Sequence, residues 1–187
     1  GMDTSPVAHI LEQQQIKSIG NSTTTPRDLV SQQDIKLVLY LLCESVAARL
    51  RSRNLMGQTV HLFVRDFQLH SYTRQHKLLF PTQCASDLFD AAYLLYQKHH
   101  TSGRPVRSLG VSASHLESRE NMQLFFTSPK DQRQNALEAA IDDIRRRFGP
   151  TSIQRGIVVA DPTLGHSDMQ KSPTSRPVGF SRQIWEL

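Results

Sequence analysis

From residue 31 onward apolar side chains recur at three- and four-residue steps: Ile35, Leu39, Leu42, Val46 and Leu50, the stripe of an amphipathic helix. Ser31-Gln32-Gln33-Asp34 ahead of it has the capping-box pattern, in which a hydroxyl and a carboxylate satisfy the first free amides. Arg49, Arg51 and Arg53 crowd its end, where the macrodipole favours cations, and Gly57 is expected to release the chain. The period then changes to two. Val60, Leu62 and Val64 alternate with His61, Phe63 and Arg65, which predicts a strand with one face on a core. A second extended run covers Ser71 to Phe80, with Tyr72, Arg74 and Leu78 alternating against Thr73, Gln75 and Lys77, and the short link Phe67 to His70 predicts a hairpin. Pro81-Thr82 is expected to open a second helix, with Leu88, Ala92 and Leu95 on one side and Gly103 closing it. Val106 to Ser114 is extended again, Leu109 and Val111 inward, Ser108, Gly110 and Ser112 outward. Upstream, Ile16 to Gly20 reads as a short edge strand before the turn-prone Asn21 to Pro26.

Strand, helix, strand, strand, helix, strand is the split β-α-β-β-α-β plan, an α+β fold with a four-stranded antiparallel-type sheet carrying two helices on one face. The other face stays open. Residues 1–30 are then a polar lead-in and first strand, 31–114 the core, 115–160 an irregular loop, a third helix and a short strand, and 161–187 a mobile tail. The third helix starts at Ser128-Pro129 and stops at Gly149-Pro150, with Leu137, Ala140, Ile141, Ile144 and Phe148 as its expected buried face. Ile157-Val158-Val159 is the expected short strand.

Charge changes the picture on the open face. The 187 residues hold 22 Lys and Arg against 17 Asp and Glu, a formal charge of +5. Arg65, Arg74, Lys77, Arg104 and Arg107 lie on or beside strands, while acids concentrate on helices. Grouped on the open face, these bases form a surface for a phosphate backbone, with affinity that falls as salt rises. A single Arg is more often a solvated side chain, so the group carries the expectation. Ser71, Thr73, Ser108, Ser112 and Ser114 strengthen it, because small hydroxyl residues let a backbone come close to phosphates. A polar edge strand without a ligand has the same composition.

Other chemistry finds little support. Asp142-Asp143 is the one adjacent carboxylate pair, and mid-helix its members diverge by about 100°, which reads as a solvated face. No phosphate-loop, zinc-protease, nucleophile-elbow or paired C-x-x-C motif occurs, and His99-His100 have no Cys or carboxylate at ligand spacing. No catalytic and no metal site is expected. Cys43 and Cys84 offer no disulfide framework, and Cys43 among Leu41, Leu42 and Val46 reads as a core residue of a protein in a reducing compartment. No eighteen-residue apolar run exists and the N-terminus has no signal-peptide pattern, so a cytoplasmic location away from membranes is expected. Gly1 ahead of Met2 is what tag cleavage leaves, and the chain is expected to be a piece of a longer protein. Met122-Gln123-Leu124-Phe125-Phe126 is an apolar cluster in polar surroundings, either a loop folded onto the third helix or a short motif that fills a partner's pocket.

In this order and spacing, Lys17-Ser18-Ile19-Gly20, Thr25 and Asp28, the Thr73-Arg74 strand and Arg107-Ser108-Leu109-Gly110-Val111-Ser112 resemble the little finger domain of Y-family translesion DNA polymerases. The resemblance is closest to the bacterial UmuC, MucB and ImpB branch of UV-damage repair, and spans about residues 16 to 160. There the R-x-L-G-V-x-x-S strand closes the sheet, which faces the duplex major groove and holds the backbone through strand amides and basic side chains. The resemblance implies Lys17, Ser18, Gly20, Thr73, Arg74, Gln75, Arg107, Ser108 and Ser112 as DNA-facing residues, to which charge adds Arg65 and Arg104. His76 stands where relatives often carry a second Arg, and Ser108 and Ser112 where others are basic, which implies a weaker grip.

Polymerase chemistry in that family belongs to a palm domain whose carboxylates hold magnesium ions, with no counterpart here, so the fragment is expected to bind primer-template DNA without polymerising. The resemblance also implies a sliding-clamp segment after the sheet. Asn121 to Phe125 fits that register with Asn in place of Gln, Gln123 to Phe126 fits its start, and Gln183 to Leu187 at the terminus is a rival. The implied setting is error-prone synthesis in DNA repair and the SOS response. An RNA-binding module of the same plan, stacking bases on Phe63 and Tyr72, and a protein-docking domain remain the alternatives.

Overall fold

Ser31 opens the first helix as its sequence demands: its hydroxyl accepts from the amide of Asp34 at 3.0 Å, and the Asp34 carboxylate accepts in return from the Ser31 amide. The computed structural model describes residues 16–118, 129–159 and 161–165. In chain order these form β1 (Ser18–Leu29), α1 (Gln32–Ser52), β2 (Leu55–Asp66), β3 (Ser71–Thr82), α2 (Ala85–His99), β4 (Val106–Ser118), α3 (Pro129–Phe148), α4 (Gly156–Val159) and α5 (Pro162–Gly165). The strands make one antiparallel sheet in the order β1-β4-β2-β3. This is the split β-α-β-β-α-β plan. Helices α1 and α2 cover one face, and the core lies between: Leu39, Leu42, Val46 and Leu50 from α1, Leu88 and Ala92 from α2, and Val60, Leu62, Leu109 and Ala113 from the sheet, all fully buried. Each large side chain among them contributes about 1.5–3 kcal/mol. Cys43 is buried in the same cluster.

Several boundaries differ from the sequence reading, each for a local reason. β1 runs on through the expected turn at Asn21 to Pro26, because Thr23, Thr24 and Thr25 are β-branched and Thr23 and Thr25 are buried; a register shift between Thr24 and Leu29 accommodates Pro26. Asn54, at φ +54°, makes the turn expected of Gly57. Gly57 lies inside β2, where an added Cβ would come within 2.7 Å of the Ala113 Cβ. Pro81 and Thr82 end β3 rather than begin α2; the cap is Cys84, whose amide donates to the Thr82 hydroxyl at 3.0 Å. α2 ends at His99, and Gly103 (φ +62°) shapes the loop that follows. β4 is an inner strand, not the closing one, and continues to Ser118.

The C-terminal helices overturn more. α3 turns its apolar residues outward: Leu137, Ile144 and Phe148 are 54%, 37% and 75% exposed. It docks through charge instead. Arg51 of α1 pairs with the buried Glu138, bonds Asp142 through Nε at 2.6 Å, and donates to the Gln83 carbonyl at 3.0 Å. Glu138 also accepts from the Ala85 amide at the start of α2, and Glu44 of α1 receives Arg145 at 3.0 Å and Arg155 at 2.6 Å. Asp142 is therefore a docking residue, while Asp143 faces Arg146 and Arg147. The expected strand at 157–159 is the helical turn α4. Asp161 to Gly165, expected in the tail, pairs with Arg27 through Asp161 at 2.7 Å and places Leu164 in the core. No helix among the described residues is long and apolar enough to cross a membrane.

Candidate nucleic-acid interface

Cross-strand partners share a face, so the register assigns every side chain of the sheet to one side. With Val60, Leu62 and Val64 on the helices, the opposite face is built from four rows across β1, β4, β2 and β3. They are Ser18-Ser114-Thr59-Lys77, Gly20-Ser112-His61-Gln75, Ser22-Gly110-Phe63-Thr73 and Thr24-Ser108-Arg65-Ser71. None of these positions carries a carboxylate. Half of the face is low: β1 and β4 present only Ser, Gly and Thr, and an added Cβ at Gly110 would meet Ser22 at 3.0 Å and Phe63 at 3.3 Å. The other half stands taller on His61, Phe63, Arg65, Gln75 and Lys77. The described parts of α3, α4 and α5 attach at the helical layer and the end of β1, and leave this face uncovered.

Ser18, Gly20, Thr73, Gln75, Ser108, Ser112 and Arg65 all lie on this face. The hydroxyls of Thr24 and Ser108 are 2.9 Å apart, and Ser108 and Ser112 are each 8% exposed between their taller neighbours on β2. Because β4 pairs on both sides, its amides are committed to the ladders, and its contribution to the face is the hydroxyls. Gly20 is held from behind by Arg49, which donates to its carbonyl at 2.6 Å. Arg65 and Lys77 join no ion pair among the described residues.

The other bases go elsewhere. Arg74 stands opposite Leu62, on the helix side of β3, with its guanidinium 5.4 Å from the Tyr72 ring centre. His76 stands opposite Val60, on that same side. Arg107 stands at the register irregularity between Val106 and Ser108 and pairs with Asp28 at 3.1 Å; Arg104, in the loop before β4, pairs with Asp66 at 3.4 Å. Lys17 precedes β1 and is exposed. Asn121, Met122, Gln123, Leu124, Phe125, Phe126 and the terminal Gln183 to Leu187 lie outside the described residues.

His61, Ser22 and Thr24 also lie on this face and are missed by the sequence reading, although the alternation around Val60 to Val64 already puts His61 beside Phe63 and Arg65. His61 Nε2 lies 2.7 Å from the Ser114 hydroxyl. Burial first, and the neighbouring His115 second, hold its imidazole below the usual histidine range. Cys84 is pushed up to about 12, chiefly by burial, and is inert while covered. Among the described residues no group of three or more His, Cys, Asp or Glu converges as a metal site.

A model described as the impB/mucB/samB family C-terminal domain matches residues 16–126. DNA polymerase IV of Acetivibrio thermocellus is 40% identical over 167 residues, 88% of this chain and 42% of that protein. DNA polymerase IV 2 of Halalkalibacterium halodurans is 37% identical over 160 residues, 84% of this chain and 38% of that protein. The chain thus spans about two-fifths of the length of these curated relatives. A solved complex of a beta-clamp processivity factor and the little finger domain of PolIV aligns with a TM-score of 0.46 and 18% identity, over 59% of this chain and 99% of that one.

Proposed function

The chain belongs to the impB/mucB/samB family of C-terminal domains, the little fingers of Y-family DNA polymerases, and from that premise we propose that its open sheet face grips primer-template duplex without reading sequence. The observation that carries this reading is the face that the other described residues leave open: rows free of carboxylates, low and hydroxyl-lined on β1 and β4, with Arg65 and Lys77 on the taller half. A phosphate chain meets no repelling charge there and finds hydroxyl donors close to the sheet plane. Base edges have few partners of defined geometry on such a surface, so contact is to the backbone.

In this reading the chain is part of a longer translesion polymerase acting in the cytoplasm in DNA repair and the SOS response. The magnesium ions implied for such an enzyme are assigned, by the resemblance, to a palm domain of the longer protein. The segment Asn121 to Phe126 is proposed as the clamp-binding motif. Leu124→Ala with Phe125→Ala should abolish pull-down by a sliding clamp while duplex affinity stays; survival of clamp binding would move the motif to Gln183 to Leu187.

Fluorescence anisotropy with unrelated duplexes over a salt series tests the grip. Affinity should fall steeply with salt and alike for all sequences. Arg65→Ala with Lys77→Ala should weaken every duplex and reduce the log–log salt slope by about 0.9 for each phosphate no longer neutralised. Absence of binding at low salt, or strong preference for one sequence, refutes it. The RNA alternative loses ground on one placement: Tyr72 pairs opposite Val64 and packs toward the helices, leaving Phe63 as the aromatic of these rows, whereas stacking modules use two or three.

A further inference from the structure

Helix α3 docks through one face and presents a second, apolar one to solvent. Glu138, Asp142 and Arg145 make its bonds to α1 and to the start of α2. At about 100° per residue, Arg133, Leu137, Ala140, Ile141, Ile144 and Phe148 fall within one sector about 100° wide, centred about 120° round the helix from those docking residues. Leu137 is 54% exposed, Ile144 37% and Phe148 75%; Arg133 and Ala140 are exposed and Ile141 is half-buried. Such a stripe is the pattern of a helix–helix seam, not of a solvated face.

The stripe is complementary to its own reverse. Laid antiparallel on a second copy, about a two-fold axis between Ala140 and Ile141, Leu137 meets Ile144 of the second copy, Ala140 meets Ile141, and Arg133 meets Phe148. Each contact then occurs twice, as an isologous interface requires. Ala140 at the axis lets the two helices come close. Arg133 carries the only charge of the stripe and falls on an aromatic ring, which attracts a cation. The two copies of Arg133 lie about 22 Å apart along the helices, beyond the reach of repulsion in salt. A parallel pairing would set them side by side.

We infer that this stripe is a docking surface for a second copy of the chain, joined as a two-fold antiparallel pair of α3 helices. Because α3 sits on the helical layer, the pairing leaves the open sheet face of each copy free. A single helix seam is smaller than the about 1,200 Å² of a stable interface, so the association is weak and depends on concentration.

Sedimentation velocity of the full chain from about 5 µM to about 1 mM is the test. The average mass should rise toward that of two chains over this range. Leu137→Glu with Phe148→Glu should hold it at one chain, a loss of at least about tenfold in association constant, with the urea midpoint unchanged because both residues are more than half exposed. A single-chain mass throughout for the unmodified protein overturns the inference, as does undiminished association in the variant. Cross-linking checks the register without charging the stripe. Ala140→Cys, at the axis, should join two copies on mild oxidation, whereas Leu137→Cys, about 10 Å from its mate in the second copy, should not. Cys43 and Cys84 are buried and stay out of this reaction. No cross-link at Ala140→Cys, or an equal one at Leu137→Cys, overturns the antiparallel pair.

Discussion

Arg51→Met tests the charge-based docking of α3, and the structure sets both its size and its readout. Arg51 is 12% exposed at its side chain, pairs with Glu138 at 4% and Asp142 at 27%, and holds the Gln83 carbonyl. Removing one partner of a buried pair costs about 3–5 kcal/mol. Glu138 retains the Ala85 amide at 3.0 Å and the Gln134 side chain at 3.2 Å, so the lower end, about 3 kcal/mol, applies here. That is about two orders of magnitude in the undocking equilibrium. The two cysteines separate undocking from unfolding. Cys84 lies under α3 with its thiol 3.1 Å from the Asn135 side chain, while Cys43 lies in the main core. In single-thiol variants, Arg51→Met should raise the labelling rate of Cys84 about a hundredfold and leave that of Cys43 nearly unchanged. A rise of less than about tenfold at Cys84 would refute the docking energy. Equal rises at both thiols would refute α3 as a separately opening unit.

Three further outcomes are expected. Gly57→Ala should lower stability in urea unfolding by about 1–3 kcal/mol, because its Cβ would sit 2.7 Å from that of Ala113, and Ala113→Gly should recover part of the loss. The Arg27 guanidinium, hydrogen-bonded to Asp34, holds that carboxyl down at about 2 against 3.8 in its ordinary state. The resulting stabilisation is complete above the ordinary value and is lost as pH falls toward 2; with Arg27 44% exposed it amounts to less than about 1 kcal/mol, and Arg27→Gln should flatten the acid limb of a stability profile by that much. Arg74→Ala should leave duplex affinity within about twofold in anisotropy, whereas Arg65→Ala weakens it, because Arg74 points to the helix side and Arg65 to the open face.

How much of this is legible in the sequence depends on what each element buries. α1 and β2 read correctly because each has one face fully in the core, so apolar periodicity and geometry coincide at Leu39, Leu42, Val46 and at Val60, Leu62, Val64. α3 reads inside out because its docking is ionic: a helix that buries Glu138 and exposes Leu137 and Phe148 inverts the signal on which amphipathicity rests. The same holds for Asp142, whose partner Arg51 lies 91 residues away and leaves no local trace. For the proposed interface the deciding quantity is parity. On β2 and β4 parity is written in the alternation, which puts Arg65, Ser108 and Ser112 on the right side from sequence. β3 is an edge strand with mostly exposed residues on both faces, and nothing in its own pattern says whether Arg74 or Gln75 looks outward. Only the pairing of Leu62 with Arg74 and His61 with Gln75 decides it. That pairing turns Arg74 to the helix side and leaves Arg65 and Lys77 as the cations of these rows.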